Sequence, residues 1–562
     1  MHVRHPHEDA FILFRYVEHL AHGQGIVFNT VGPHAEGATD FLWMVLLALG
    51  TRLGVDVAEF AALLNALGVA LLAGLGSAMF LGLRAPSLGD RAFLLILSMA
   101  LPFLPFASAS YEGFSSLLYC GLIVGGAAAA VSEERKWVHA TPWLALIVAL
   151  FRPDGVLLAV PMTVTALWRS RARLHASKRL LFHVLAAAVL GACYFMWRYR
   201  YFGLLLPLPL YVKSRGTAVL PGLEDNWDWF WNASGAPLIL LCCITLALVV
   251  QRRGSGAHRS RSLLWIALPA VFLFAGLLFA HQSQNIAFRF QAPIHALLLA
   301  LMLSQLGVAL DHWPSHLARG SGRFFGVLAI VAAFFFPKTI WPLDYMDGVS
   351  VELARHLNGK VVAATEAGRL AFWTDGTVID VVGLNDPRCA QRPADLNYIS
   401  AVQPDVIMFH AAGTLSERLL RRALGSASRG EVGKIPAQAL GAALQPSFSR
   451  LVESAPREYP GSVLPHRLAA ATLAYWLSRS SEYEVVLLRY GGSFRHVWAV
   501  RKSLPDANIL LARLEAAPRA PYWPYSNFRR LRLGRLACTA MEWPVRILGA
   551  AAFGWPRAPS CP

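Results

Sequence analysis

The chain predicts a multi-span α-helical membrane bundle followed by a smaller α/β domain, on three observations. Its 562 residues are 56% apolar and only 15% charged, with a mean hydropathy of +0.45, far from the balance of a soluble protein of this size. Long apolar runs recur up to about residue 340. Beyond that point charged residues, prolines and short apolar runs take over, as in a water-facing domain.

In chain order, the first element is HEDAFILFRY, His7 to Tyr16. Two adjacent carboxylates, Glu8 and Asp9, open an amphipathic helix in which Ala10, Leu13, Phe14, Val17, Leu20 and Ala21 share one face and Arg15, Glu18, His19 and His22 the other. Gly23 and Gly25 end it. Asp9 has an ordinary reading as a helix-start acid, favoured by the free N–H groups and the helix dipole. Thr39 to Leu53 is apolar but only about 22 Å long as a helix, short of the roughly 30 Å hydrocarbon core, so it lies at or dips into the membrane surface. Spanning runs follow at about 59–83, 92–107, 113–131, 138–151, 155–168, 180–198, 236–250, 262–280, 291–310 and 324–340. The first of these is too long for a signal-peptide core.

Alternate loops carry the positive charge. Loops 84–91, 132–137, 169–179, 251–261 and 311–323 hold 15 Lys and Arg in 49 residues; 108–112, 152–154, 199–235 and 281–290 hold 5 in 55. The first set is therefore cytoplasmic, and the N-terminal stretch and everything after residue 340 lie on the outer face. The net charge of +17 is then largely a topology signal and does not point to nucleic acid. The seven cysteines show neither metal-ligand spacing nor a disulfide framework, and no metal site is expected from them. This orientation gathers Glu8, Asp9, Glu36, Tyr111, Glu112, Arg152, Asp154, Lys213, His281 and Arg289 at one outer mouth. The middles of the runs hold no Asp, Glu, Lys or Arg, unlike a transporter with midplane relays; His183 and His295 there read as neutral, hydrogen-bonded helix histidines.

Domain boundaries follow: 1–344 is the multi-span membrane part with an outer juxtamembrane loop at 1–58, 345–510 an extracytoplasmic α/β domain, and 511–562 a basic aromatic tail that is surface-lying or disordered. Strands are expected at Lys360–Ala364, Thr377–Val382, Asp405–Phe409, Glu484–Leu488 and Val497–Arg501, with a helix over Leu415–Leu424.

Five strings, EDAFILFRYVEHLAHGQGIVFN (Glu8–Asn29), EGATDFLW (Glu36–Trp43), FRPDGVLLAVP (Phe151–Pro161), WRYRYFGLLLPLPLYVKS (Trp197–Ser214) and VIDVVGLNDPRCA (Val378–Ala390), resemble in order and spacing the GT-C superfamily of membrane glycosyltransferases. They look most like the branch with mycobacterial terminal arabinofuranosyltransferases. The resemblance implies a GT-C-like bundle whose first outer loop carries the catalytic acid, and a transfer of sugar, arabinofuranose in that branch, from a polyprenyl-phosphate donor to a cell-envelope glycan or lipid at the outer face of a bacterial inner membrane. It places Asp9 as the acid, with Glu8 beside it. A divalent cation is left open.

The chain also departs from the family pattern. Family members carry a span before the acidic motif, whereas seven residues precede Glu8; a misassigned start, a truncated gene and an N-terminus exported without a leading span all fit. Asp40 stands where the family has Asn, and HQSQ at His281–Gln284 where it has Gly-Asp, which suggests a different sugar or acceptor.

Transfer from a polyprenyl phosphate needs a base for the acceptor hydroxyl and cations for the departing phosphate. Asp9 is the candidate base, its proton affinity expected to be raised by apolar surroundings. Arg152, Lys213 and Arg289 are the candidate phosphate partners, with snorkelling or salt bridges as the other reading and Asp154 as a ready partner for Arg152. Glu36, Trp43, Tyr111 and His281 are candidate substrate contacts: Glu36 either orients Asp9 or holds the acceptor sugar, with a surface-loop acid as the other reading, and Trp43, Tyr111, Tyr201, Tyr211 and Trp227 suit either sugar stacking or an interfacial aromatic belt. GLNDPRCA reads as a turn in which Asn385 caps and Pro387 opens a helix. Two other classes stay open: a transporter or flippase of a lipid-linked substrate, and an inactive scaffold homologue.

Overall fold

The structure is a computed structural model. It describes residues 6–81, 105–171, 174–213, 220–232, 264–280, 285–311, 345–425, 432–454, 463–490 and 493–516, with scattered positions between 89 and 101 and at 239, 243 and 282. The expected spans at 236–250 and 324–340, most of 92–107 and the tail beyond 516 lie outside the described residues.

The N-terminal part is helical: α1 (Glu8–Ala21), α2 (Phe41–Arg52), α3 (Val57–Leu81), α4 (Ser116–Val131), α5 (Arg135–Phe151), α6 (Gly155–Ser170), α7 (Leu174–Phe202), α8 (Leu208–Lys213), α9 (Leu223–Asn232), α10 (Ala267–Leu278) and α11 (Ala292–Asp311). Among the described residues, three apolar helical stretches, Val57–Leu81, Lys178–Phe202 and Ile286–Gly307, are long enough to cross a membrane; α2, α4, α6 and α10 are apolar but shorter. The chain is an integral membrane protein.

Three polar side chains show how the bundle pairs polar groups in low-dielectric surroundings. Asn65 on α3 donates to the Phe114 carbonyl at 2.9 Å and accepts from the Leu117 amide at 3.2 Å, which satisfies the start of α4. His183 and His295 each accept a tryptophan indole N–H at Nδ1, from Trp143 at 3.2 Å and Trp229 at 3.1 Å.

The C-terminal part holds a six-stranded mixed sheet of order β2-β1-β3-β6-β5-β4. Its strands are β1 (Val361–Ala364), β2 (Thr377–Asp380), β3 (Val406–His410), β4 (Val432–Ile435), β5 (Tyr483–Tyr490) and β6 (Ser493–Arg501). β1 runs parallel to β2 and β3; the other pairs are antiparallel. The sequence reading misses β4, whose VGKI carries a glycine and a lysine in four residues and so shows little apolar pattern. Two short helices matter for the site: α12 (Arg369–Trp373), after β1, and α13 (Pro387–Gln391), after β2. α13 is capped by Asp386, which accepts from Arg388 N and Cys389 N at 2.9 Å, and not by Asn385 as the sequence suggests.

Asn385 is turned inward. Its amide N–H donates to Asp380 at 2.9 Å and its carbonyl accepts from the Tyr16 hydroxyl at 3.2 Å. The Asp380 carboxyl also takes the Val382, Gly383 and Asn385 amides, yet burial still pushes it up to about 6.

Candidate active site

α1 is where the two parts of the molecule meet. Glu8 accepts from the Gly368 and Arg369 amides at the start of α12 and pairs with the Arg369 guanidinium at 3.2 Å. Two turns along α1, Arg15 donates to Phe28, Ala371, Thr374 (2.8 Å) and Gly376 (3.1 Å) carbonyls. An anion thus sits at the head of α12 and a cation at its tail, the arrangement its peptide dipoles favour. Arg15 was expected on the solvent face of α1; it is buried because these carbonyls replace water around its guanidinium. The Asn29 amide pairs with both backbone groups of Val378 at the edge of β2, at 2.8 and 3.0 Å, and Phe11 packs on Phe372.

This docking leaves Glu8 fully engaged and turns its neighbour Asp9 the other way. Asp9 pairs with Arg289 at 3.2 Å, both side chains largely buried. Burial pushes the Asp9 carboxyl up, but His7, Arg289 and Lys213 together outweigh it and hold it below the ordinary carboxylate value. The expected raised proton affinity is therefore reversed, because cations and not apolar groups are its nearest company.

Arg152, Lys213 and Arg289, drawn from three separate parts of the chain, converge on one ring: their cationic groups lie 5.4, 5.8 and 5.3 Å from the Phe290 centroid. Arg289 also stacks on Phe114 at 3.9 Å and Arg152 faces Tyr119 at 5.2 Å. Arg152 forms a two-pronged pair with Asp154, 3.0 Å on each arm. Burial works against the charge on Arg152, and Asp154 and Asp40 more than reverse it, so it stays firmly protonated. Burial brings Lys213 down to about 8, with Asp9 opposing and Arg289 adding to the fall.

The loop that presents Arg289 and Phe290 is shaped by a buried amide cluster. Asn285 donates to Gln291 at 2.7 Å and Gln282 at 3.1 Å, Gln291 donates to Asn226 at 3.0 Å, and the Phe290 amide donates to Asn285 at 3.1 Å. Ala287 and Phe288 take left-handed φ values of 50° and 56°, a strain these amides hold in place. The sequence shows Arg289 between two phenylalanines in NIAFRF but gives no sign that Phe290 is the centre of the charge cluster.

Two of the remaining expected site residues, Glu36 and Trp43, serve other ends. Glu36 is bound by Arg198, whose Nε donates at 2.7 Å, so it neither orients Asp9 nor offers free oxygens to a sugar. Trp43 is completely buried against Phe151 in the core, out of reach of a sugar face. Tyr111 falls in the 3-10 turn Pro105–Glu112, and His281 lies outside the described residues. Asp40 is the residue the sequence reading passed over as a site group: it is half-buried at the head of α2, takes the Ser115 hydroxyl at 3.1 Å, and is within electrostatic range of Arg152 and Arg289.

Comparison with known proteins adds the following. Residues 344–462 match a family described as a domain of unknown function, DUF8728. The chain is 27% identical over 276 residues to the terminal beta-(1->2)-arabinofuranosyltransferase of Mycobacterium tuberculosis (strain ATCC 25618 / H37Rv), a stretch that is 44% of this chain and 41% of that relative. The chain thus spans less than half of the curated relative's length. Among solved structures, ArnT from Cupriavidus metallidurans in the apo state aligns with a TM-score of 0.43 at 14% identity, covering 72% of this chain and 89% of that one. The same protein bound to undecaprenyl phosphate aligns with a TM-score of 0.38 at 15% identity, covering 85% and 73%. The likeness read from the five motifs and the likeness to the curated relative coincide: the chain resembles the GT-C membrane glycosyltransferases.

Proposed function

We propose that the chain is a membrane glycosyltransferase that moves a sugar, arabinofuranose by analogy with its mycobacterial relative, from a polyprenyl-phosphate donor to a cell-envelope glycan or lipid. The reaction takes place at the outer face of the inner membrane, where the positive-inside pattern puts the 345–510 domain. The observation that carries this reading is the Asp9–Arg289 pair set among Arg152, Lys213 and the Phe290 ring. A carboxylate paired with Arg289 and within electrostatic range of Lys213, beside a ring that Arg152 also faces, is what a base next to a leaving phosphate requires.

The chemistry runs through a change of partner. A donor phosphate entering the cluster takes over Arg289 and Lys213 and so removes two of the charges that depress Asp9. The effect of burial then dominates, and the carboxylate becomes a stronger base when donor is in place. Asp9 takes the proton of the acceptor hydroxyl, the acceptor oxygen bonds to the anomeric carbon, and the carbon–oxygen bond to phosphate breaks. The leaving polyprenyl phosphate keeps the electron pair, its charge met by Arg152, Lys213 and Arg289.

The test is transfer by purified, detergent-solubilised protein from a panel of radiolabelled polyprenyl-phosphate sugars to envelope acceptors, comparing wild type with Asp9→Asn and Asp9→Ala. Transfer from one donor, lost in both folded variants, is the expected result. Full activity in either variant, or no transfer from any donor, overturns the reading.

A further inference from the structure

A second cluster of chemistry-bearing side chains lies outside the Asp9 site, at one end of the sheet. His410 closes β3 and His496 sits on β6, directly opposite each other in the antiparallel register. Glu366 follows the end of β1, the strand on the other side of β3. His496 Nε2 is 3.0 Å from Glu366 Oε2 and His410 Nε2 is 3.9 Å from Glu366 Oε1; the two imidazole rings stand edge to face with centroids 5.0 Å apart. One ligand-capable atom from each of the three lies within 4.8 Å of the others.

We propose that Glu366, His410 and His496 form a divalent metal site of the zinc class, separate from the Asp9 cluster. Two imidazoles and one carboxylate are a donor set zinc accepts readily, with a fourth position left for water or a substrate oxygen. Bonds of about 2.1 Å in a tetrahedron put ligand atoms about 3.4 Å apart, a value that lies between the 3.0 and 3.9 Å spacings of His496 and His410 to Glu366. All three donors sit on or beside strands. The backbone around them is fixed by the sheet and by the His410 amide donating to the Thr365 hydroxyl at 3.2 Å, the rigidity a metal site needs. His496 is buried, while Glu366 and His410 are half-buried and give the ion a way in. Ala412 N–H lies 3.3 Å from His410 Nδ1; ligation through Nε2 moves the ring proton to Nδ1 and gives up this long contact.

The placement has a structural result. Glu366 is two residues before Gly368 and three before Arg369, the groups that hold Glu8. A metal on Glu366 braces the turn on which α1 is seated.

The test uses untagged full-length protein in detergent, stripped with chelator and titrated with zinc alone by calorimetry, with metal content measured after dialysis. One zinc per chain is expected, together with a higher melting temperature. Both are lost in His410→Ala, and affinity falls roughly tenfold or more in Glu366→Gln; His466→Ala, on the helix Pro465–Ser478, keeps both. His410→Ala lies at the solvent edge and serves if His496→Ala fails to fold. Absence of stoichiometric zinc in wild type, or zinc binding and stabilisation that persist in His410→Ala, overturns the proposal.

Discussion

Asp9 and Arg289 are 280 positions apart in the chain and pair at 3.2 Å, which ties the first helix of the protein to the loop ahead of α11. Truncating Arg289 removes a cation from the phosphate cluster and leaves Asp9 without its nearest partner. Arg289→Ala is expected to weaken binding of a polyprenyl phosphate by about 2 kcal/mol or more, roughly 30-fold. Fluorescence titration with a labelled lipid phosphate checks this; an unchanged affinity removes Arg289 from the donor site.

Lys213 supplies the pH dependence. Brought down to about 8 from the 10.5 of a free lysine, it is charged below that pH and neutral above it. Donor affinity is therefore expected to fall as pH rises through about 8. Lys213→Arg, which stays charged, moves that limb upward and Lys213→Met abolishes it. For stability the sign is opposite: between about 8 and 10.5 the unfolded chain holds the extra proton, so this group makes the fold more stable as pH rises across that window. Lipid-binding titrations at pH 7 to 9.5 decide the first point, and denaturant melts over the same range the second.

The Glu8–Arg369 pair is a docking contact. Glu8→Gln keeps the shape and loses the charge, and is expected to cost about 1.5–3 kcal/mol of interaction between α1 and α12. A double-mutant cycle of Glu8→Gln with Arg369→Gln reads that coupling from melting curves. Additive effects would show that the two residues do not act together.

Gly37 is packed hard against the turn after β2: a Cβ there would lie 1.8 Å from Asn385 Oδ1 and 2.6 Å from the Leu384 carbonyl. Gly37→Ala must push this turn off Tyr16 and is expected to destabilise by about 1–3 kcal/mol. Thermal unfolding measures it; an unaltered melting temperature would mean that the first loop is not seated there.

Legibility from sequence follows physical range. Elements set by neighbouring residues read well: the start of α1 at paired carboxylates, its end at Gly23 with φ +78°, and the apolar strands β1, β3 and β5 all stand close to where local pattern puts them. Partners chosen across the fold do not read. Arg15 looks like a surface residue until the α12 carbonyls are in view, Glu36 looks available until Arg198 arrives from α7, and Trp43 looks interfacial until α5 covers it. Arg152, Lys213 and Arg289 could be suspected singly from their place at loop ends, but only the folded chain brings them around Phe290.

Glu8 and Arg15 are seven residues apart on α1, a rise of about 10 Å, and both ends of that length are held by the soluble domain rather than by lipid. Asp9 is thus set between two references, the sheet domain through Glu8 and Arg15 and a membrane-crossing stretch through Arg289. Inserting a single residue between 9 and 15 should rotate the carboxylate by about 100° relative to Arg15 and break one of the two attachments.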